Sequence, residues 1–441
     1  MEKSMIKYFI KYASLNILGM VGVSCYILAD TFFIAKAMGA TGIAALNLSI
    51  SVYSLIHGIG LMLGIGGASR YSILVSQKKE KKANQVFSTA LLAGSLIGLI
   101  LALIGLFGTT GIAQALGADP ITLPLTRDYL STILYFSPFF IINNILLAFV
   151  RNDHNPRLSM VAMLVGSFSN IILDYVFMFP LNMGMFGAAF ATGLAPIISI
   201  SILLVHFAGR NHRLVFRKEQ FTWSFLPDLF RLGSSALINE VSSAVVLITF
   251  NLVILKLEGN LGLAAYGIGA NLALVVMAVF TGLAQGIQPL LSKYHGLKND
   301  KLLRKVCRYA YVSSVLIALI IYLSLLFHGE LLIRVFNSEN HPVIARLARD
   351  GLNIYFPGFL FAGVNIVTAM FLSATEAAKD AFLISISRGF LIIIPMVFIL
   401  SSIWGMNGVW LSFVLTELIV TVLAVRLSFT RRNRSILKQA A

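Results

Sequence analysis

The sequence predicts an all-α membrane protein of twelve transmembrane helices, arranged as two six-helix parallel repeats. Three observations carry this. Apolar runs of bilayer-spanning length recur along the whole chain; the basic residues divide unevenly between alternate loops; and the second half repeats motifs of the first. Of 441 residues, 58% are hydrophobic and 12% charged, about half the charge of a soluble domain. Mean hydropathy is +0.87. A span needs about 20 apolar residues, and the first run, with no small-residue cleavage site after it, reads as a span and not as a signal peptide.

Charge and turn signals place spans near 12–35, 42–74, 87–110, 127–150, 158–179, 185–207, 227–255, 262–292, 309–328, 351–373, 381–403 and 406–427. With the N-terminus inside, 25 of the 34 Lys and Arg fall on the inner side, six outside and three within spans (Arg70, Arg231 and Arg388). Arg151 and Arg157 are among the inner 25. Short loops rich in Lys and Arg stay cytoplasmic, so both termini are expected in the cytoplasm of a bacterial inner-membrane protein. The net charge of +16 is therefore topological and predicts no nucleic-acid partner. Cys25 and Cys307 are far apart in sequence, form no disulfide framework and read as inert packing residues.

The repeat is legible at an offset of 220. Ile34–Ala45, "IAKAMGATGIAA", matches Ile254–Ala265, "ILKLEGNLGLAA", at half its positions, and "GMFG" at 184–187 returns as "GMNG" at 405–408. Six spans bring the chain back to its starting side, so the halves are parallel repeats related by an axis along the membrane normal. That is a transporter layout, with substrate between rocking halves; a duplication without mechanistic meaning is the alternative. The predicted units are an N-terminal lobe (1–207), a basic linker (208–226) on the inner surface with Phe and Trp at the lipid interface, and a C-terminal lobe (227–441).

Only four of the eighteen acidic residues fall within spans: Asp30, Asp174, Glu240 and Glu417. A charge at mid-membrane costs about 2.5–3.5 kcal/mol on insertion scales, which makes these functional candidates. Asp30 and Asp174 lie at similar depth, roughly 9–13 Å below the outer edge at 1.5 Å per residue. Asn170 shares a helix face with Asp174, and Thr192 faces it across the turn between spans five and six. Two carboxylates, an amide oxygen and a hydroxyl suit a hard cation such as Na⁺. Burying two carboxylates together equally favours uptake of a proton. A polar cluster that only locks helices together is the competing explanation.

In the second half, Arg388 is expected to pair with Glu240 or Glu417, leaving the other carboxylate free to face a central cavity and attract cationic substrate. The histidines, His57 and His206 included, show no metal or catalytic-triad spacing. No phosphate-cradling Gly-rich motif occurs, and "GIGLMLGIGG" at 58–67 reads as close helix packing.

Five motifs in order resemble the multidrug and toxic compound extrusion (MATE) family, its DinF-like and MepA-like bacterial branch in particular. They are "YILADTFFIA" in span one, "SNIILDYVFMF" in span five, "AQGIQPLLSKYHG" ending span eight, "SRGFLIIIPMVFIL" in span eleven and "GMNGVWLSF" in span twelve. The resemblance implies a V-shaped two-lobe fold and a cation or proton site at Asp30, Asn170, Asp174 and Thr192. It also implies substrate contacts at Tyr26 and Glu240, to which the in-span charges add Arg388 and Glu417. The implied activity is multidrug efflux: antiport of small amphipathic, often cationic drugs against H⁺ or Na⁺, by a monomer in contact with membrane lipids, with no other cofactor and no enzymatic chemistry. Leu15 stands where relatives carry a proline in span one, so bending of that helix is not expected from the motif. Two other readings compete: a flippase of the same superfamily for a lipid-linked substrate, and a membrane-embedded lipid-modifying enzyme.

Overall fold

The structure, a computed structural model, describes residues 2–209, 212–216, 221–336 and 341–440, with side chains described for those between 5–334 and 341–427. Among these residues there is no strand. Thirteen α-helices follow one another: α1 (Glu2–Ser76), α2 (Glu80–Phe107), α3 (Thr109–Ala115), α4 (Leu123–Tyr135), α5 (Ser137–Asn152), α6 (Pro156–Met178), α7 (Gly184–Ala208), α8 (Leu226–Gly296), α9 (Asp300–Phe336), α10 (Pro342–Tyr355), α11 (Phe359–Ala374), α12 (Ala378–Ile386) and α13 (Ile393–Ala440). A single π-helical turn, Ser387–Leu391, joins α12 to α13.

Several sequence turns are not loops at all. The chain passes from span one to span two through one residue, Gly39 (φ 63°, ψ −149°). It passes from span seven to span eight through Gly259 (φ 60°, ψ −150°). A side chain at such a φ is strained, and these two glycines stand 220 residues apart. Three more pairs keep the same spacing within two residues: Gly184 with Gly405, Lys78 with Lys298, and His154 with Glu376, all at positive φ. The duplication is thus written in the backbone as well as in the motifs. By length and apolar composition, eight helices qualify as crossings, or nine if α4 and α5, bent by 50°, form one span. Division at Gly39, Gly259 and Gly405 turns these into twelve apolar segments among the described residues. Span one has no break before Gly39.

Each half has its own core. One cluster draws almost wholly on residues 34–214, another on 250–413. A third is shared: Met5, Phe9 and Ala13 of α1 pack with Leu283, Ile287 and Leu290 of α8. The halves meet chiefly along α1 and α8, and they meet at one end. At Gly233 there is no room for a Cβ against the Met62 carbonyl, and a Cβ at Gly286 would lie 2.6 Å from the Tyr12 carbonyl oxygen. Toward the opposite end, Gly39, Gly259 and Gly267 have open space around them. The lobes therefore close at the end bearing the Lys78 and Lys298 turns, and part toward the end bearing the glycine breaks. Phe107, Phe327 and many other large apolar side chains are exposed, as a lipid-facing surface requires. Cys25 is exposed as well, and so is not a packing residue; Cys307 is partly buried, and both are free.

The segment between the halves is stitched to the N-terminal lobe. Asp153 accepts from the backbone N–H of Arg213 (2.8 Å) and Leu214 (3.4 Å), Asn84 accepts from Val215 N–H (3.0 Å), and Thr89 accepts from Thr222 N–H (3.3 Å). Leu214 is fully buried and Trp223 exposed. Arg210, Arg217 and Lys218 of this segment lie outside the described residues, as do the side chains of Lys3, Arg431, Arg432, Arg434 and Lys438.

Candidate functional site

Four helices bring polar side chains together inside the N-terminal lobe. Asp30 comes from the first half of α1, Asn170 and Asp174 from α6, Thr192 from α7, and Tyr129 from α4; all are buried. Asp30 acts electrostatically on Asp174. The Asn170 amide donates to Thr192 Oγ1 at 3.4 Å in one orientation. Turned over, it donates to Asp174 Oδ2 at 3.1 Å and accepts from Thr192 N–H at 3.2 Å. The second orientation satisfies both ends of the amide and is the better assignment. The Tyr129 hydroxyl is also hydrogen-bonded to Thr192. Oδ1 of Asp30 and Oδ1 of Asp174 have no partner at all. Unpaired buried oxygens of this kind are expensive, and together they form an oxygen-lined place for one small positive ion or a proton.

From this cluster a polar and aromatic line runs to the other lobe. The Tyr26 and Tyr53 hydroxyls are 2.8 Å apart, and Tyr53 stacks on His57 at 5.9 Å between ring centroids. His57 Nδ1 stands 3.4 Å from Glu240 Oε2. His57, uninformative in the sequence, is therefore where the two lobes touch near mid-span.

The second half differs from its sequence-based picture. Arg388, aimed by the π-helical turn, pairs with Glu417, whose carboxylate also accepts from Asn365 at 2.7 Å. Thr421 in turn donates to Asn365. This pair is buried and internally satisfied. Glu240 is not a free carboxylate either, since it faces His57. The expectation of one unpaired acid in this lobe is corrected: it left histidine out of the partner count.

Two further cations were misplaced by the sequence. Arg70 reaches from α1 to Asp228 (3.3 Å) and Glu376 (2.6 Å) across the closed end, where Arg231 and His295 join the cluster. The His295 hydrogen bond, aided by Arg70 and opposed by burial, holds the Glu376 carboxyl below its ordinary range. Arg151, counted with the inner-surface cations, is only 2% exposed. At Asp153, burial pushes upward, but hydrogen bonds from His206, Arg213 N–H and Tyr71 outweigh it and keep that carboxyl low. Among the described residues no cluster of three or more His, Cys, Asp or Glu could hold a metal ion.

The MatE family model matches residues 16–176 and 236–399, most of both halves. The chain belongs to the MatE family. It is 28% identical over its full length to a protein of Staphylococcus haemolyticus named multidrug export protein MepA, covering 97% of that relative. A MepA of Staphylococcus aureus is 26% identical over 93% of this chain and 90% of its own. Among solved structures, an outward-facing multidrug resistance MATE family transporter superposes with a TM-score of 0.91, covering 98% of this MatE chain and 96% of its own. At 20% identity that likeness shows the fold alone. The MATE multidrug transporter DinF-BH, solved in complex with a drug-like ligand, superposes at 0.88 with 26% identity, covering 97% and 96%.

Asp30, Asn170, Asp174, Thr192 and the neighbouring Tyr26 thus stand together, whereas Glu240, Arg388 and Glu417 do not join them. Tyr129 escaped the sequence reading. Its one signal was depth: it enters span four from the same side as the acids.

Proposed function

We propose that this MatE protein is a secondary active antiporter. It exports small amphipathic, mainly cationic compounds in exchange for H⁺ or Na⁺ by alternating access, with its lobes at 1–207 and 227–441, the segment 208–226 between them, and both termini in the cytoplasm of a bacterial inner membrane. The observation that carries this reading is the pair of unpartnered carboxylate oxygens on Asp30 and Asp174, in a lobe that closes against its twin at one end only. The names of the staphylococcal relatives and the ligand complex of DinF-BH support drug-like cargo.

In the open arrangement the two carboxylates carry uncompensated negative charge in a dry pocket. One proton or Na⁺ relieves it, with Asn170, Thr192 and Tyr129 completing the oxygen set. Uptake of the ion changes the cost of packing α1 against α6, and the two end states then differ in ion affinity. That difference is what an antiporter needs: each tenfold ratio between the states shifts their balance by about 1.4 kcal/mol. The closed end, latched by Arg70, Asp228 and Glu376, must part for cargo to enter from the cytoplasm.

The test is dye efflux from proteoliposomes with a pH gradient and a Na⁺ gradient imposed separately. One gradient is expected to drive efflux. Transport that ignores both gradients, with movement of a lipid-linked substrate instead, would move the protein to the flippase reading.

A further inference from the structure

The cavity of the N-terminal lobe has a second pole. Beside the aromatic face of Tyr26 and Tyr53 and the hydroxyl of Thr192, its lining includes the guanidinium-bearing Arg151 of α5 and Gln285 of α8. From Phe140, level with Tyr53, to Arg151 the helix climbs about 16 Å, so the acidic cluster and the arginine mark opposite ends of one apolar chamber.

Arg151 is buried without a counter-charge. Its Nη1 donates to the amide oxygen of Asn16 at 2.5 Å and reaches that of Gln285 at 3.5 Å. Its Nε has no partner, and no carboxylate acts on it. Asp153, two residues away, is fully engaged by His206, Tyr71 and the Arg213 and Leu214 amides. Neutral amides solvate a guanidinium but do not neutralise it, and a buried ion without an opposite charge is costly. Two other cavity-lining side chains carry unpartnered buried atoms, Oδ1 of Asn143 and Oγ of Ser199. Polar groups left open in one chamber point to an occupant that satisfies them. A guanidinium with free N–H groups is shaped for a two-oxygen anion.

We propose that Arg151 is the anion-binding pole of this cavity and takes the carboxylate or phosphate oxyanion of an amphipathic molecule whose apolar body fills the chamber. This rests on the cavity being a transport chamber, as proposed above, and extends the cargo beyond simple cations to compounds that carry an acid. Gln285 belongs to the other lobe, so parting of the closed end removes one of the two amides that solvate Arg151. The arginine is then exposed to whatever oxyanion arrives from that side, either an acid group of the cargo or a lipid headgroup.

The experiment compares two amphipathic xanthene dyes that differ only in a carboxyl group, free in one and esterified in the other. Their binding to the full-length protein in dodecyl maltoside is read by fluorescence anisotropy. The free acid is expected to bind at least tenfold more tightly than the ester. Arg151→Gln should bring the acid down to the ester's affinity while the ester changes by less than twofold, and Arg151→Lys should keep part of the preference. Added phosphatidylglycerol that competes with the acid but not with the ester assigns the pole to lipid phosphate too; without competition, the oxyanion is that of the cargo. Equal affinities in the wild type overturn the proposal, even if Arg151→Gln does not fold. So does a preference that survives Arg151→Gln. Failure of both dyes to bind would instead count against the transport chamber itself.

Discussion

The two lobes share a skeleton and differ in what fills it. Gly39 and Gly259 have nearly the same backbone angles, so positions offset from them correspond. At the same offset from Asp30 the second lobe has Phe250, and the counterparts of Asp174 and Thr192, counted from Gly184 and Gly405, are Pro395 and Phe413. The oxygen cluster of one lobe is thus an aromatic plug in the other. Phe250 packs on Tyr266, Tyr266 on Trp410, and Tyr355 stacks on Phe413 at 4.2 Å between centroids. The buried charges of the C-terminal lobe, Arg388 and Glu417, satisfy each other. Duplication has kept the glycine breaks, which fix where rods turn, and released the interior. Only one lobe keeps carboxylate oxygens in need of a cation, so ion coupling is proposed for that lobe alone, and the other serves as the surface it rocks against.

The largest effect that tests this asymmetry is in the first lobe. Asp30→Asn and Asp174→Asn should each cut gradient-driven efflux by about a hundredfold or more with folding intact by thermal melt; full efflux in both variants would falsify the coupling role. In the second lobe the penalty should fall on stability instead. Glu417→Gln strands the Arg388 charge, and removing one member of a buried pair costs about 3–5 kcal/mol. Arg388→Met in the same chain should recover much of that loss, and the double-mutant cycle measures the coupling. If Glu417→Gln melts like the wild type but cannot respond to the ion gradient, the lobes have been assigned the wrong way round.

Smaller effects sharpen the boundary. Tyr129→Phe removes one hydrogen bond, worth about 0.5–1.5 kcal/mol. It should weaken the coupling ion several-fold, read as a shift in half-saturation, while Tyr355→Phe in the aromatic plug should leave that value unchanged. At the closed end the Glu376 carboxylate is partly exposed, so its contribution is about 1 kcal/mol or less. Because its folded-state value lies below the ordinary range, the contribution is complete at neutral pH and fades only as the pH falls through that lowered value. Labelling of a cysteine placed at Gly296, packed against Ser76 in the seam, should speed up in strong acid; in a Glu376→Gln background it should already be fast and lose that acid step.

The amino-acid pattern made the skeleton readable because hydrophobic runs, loop charge and a half-length repeat are one-dimensional signals. It also made Asp30 and Asp174 readable, since depth along a rod follows from counting residues to its end. Rotation about the rod does not. Glu240 and Glu417 have similar depth, and which of them meets Arg388 depends on helix facing and on a π-helical turn with no motif. The His57–Glu240 contact depends on how the lobes sit together, and no single span encodes that. Arg151 looked like a loop cation because it ends a span, but α5 carries it under α1 and α8.

The bonds from Asp153, Asn84 and Thr89 have a mechanical consequence for the chain between the lobes. The nominal tether is long enough to let one lobe drift, yet it is fastened to its own lobe as far as Thr222, four residues short of the start of α8 at Leu226. What remains is a leash of a few residues, so the second lobe has a fixed pivot and can tilt about it with little freedom to slide away.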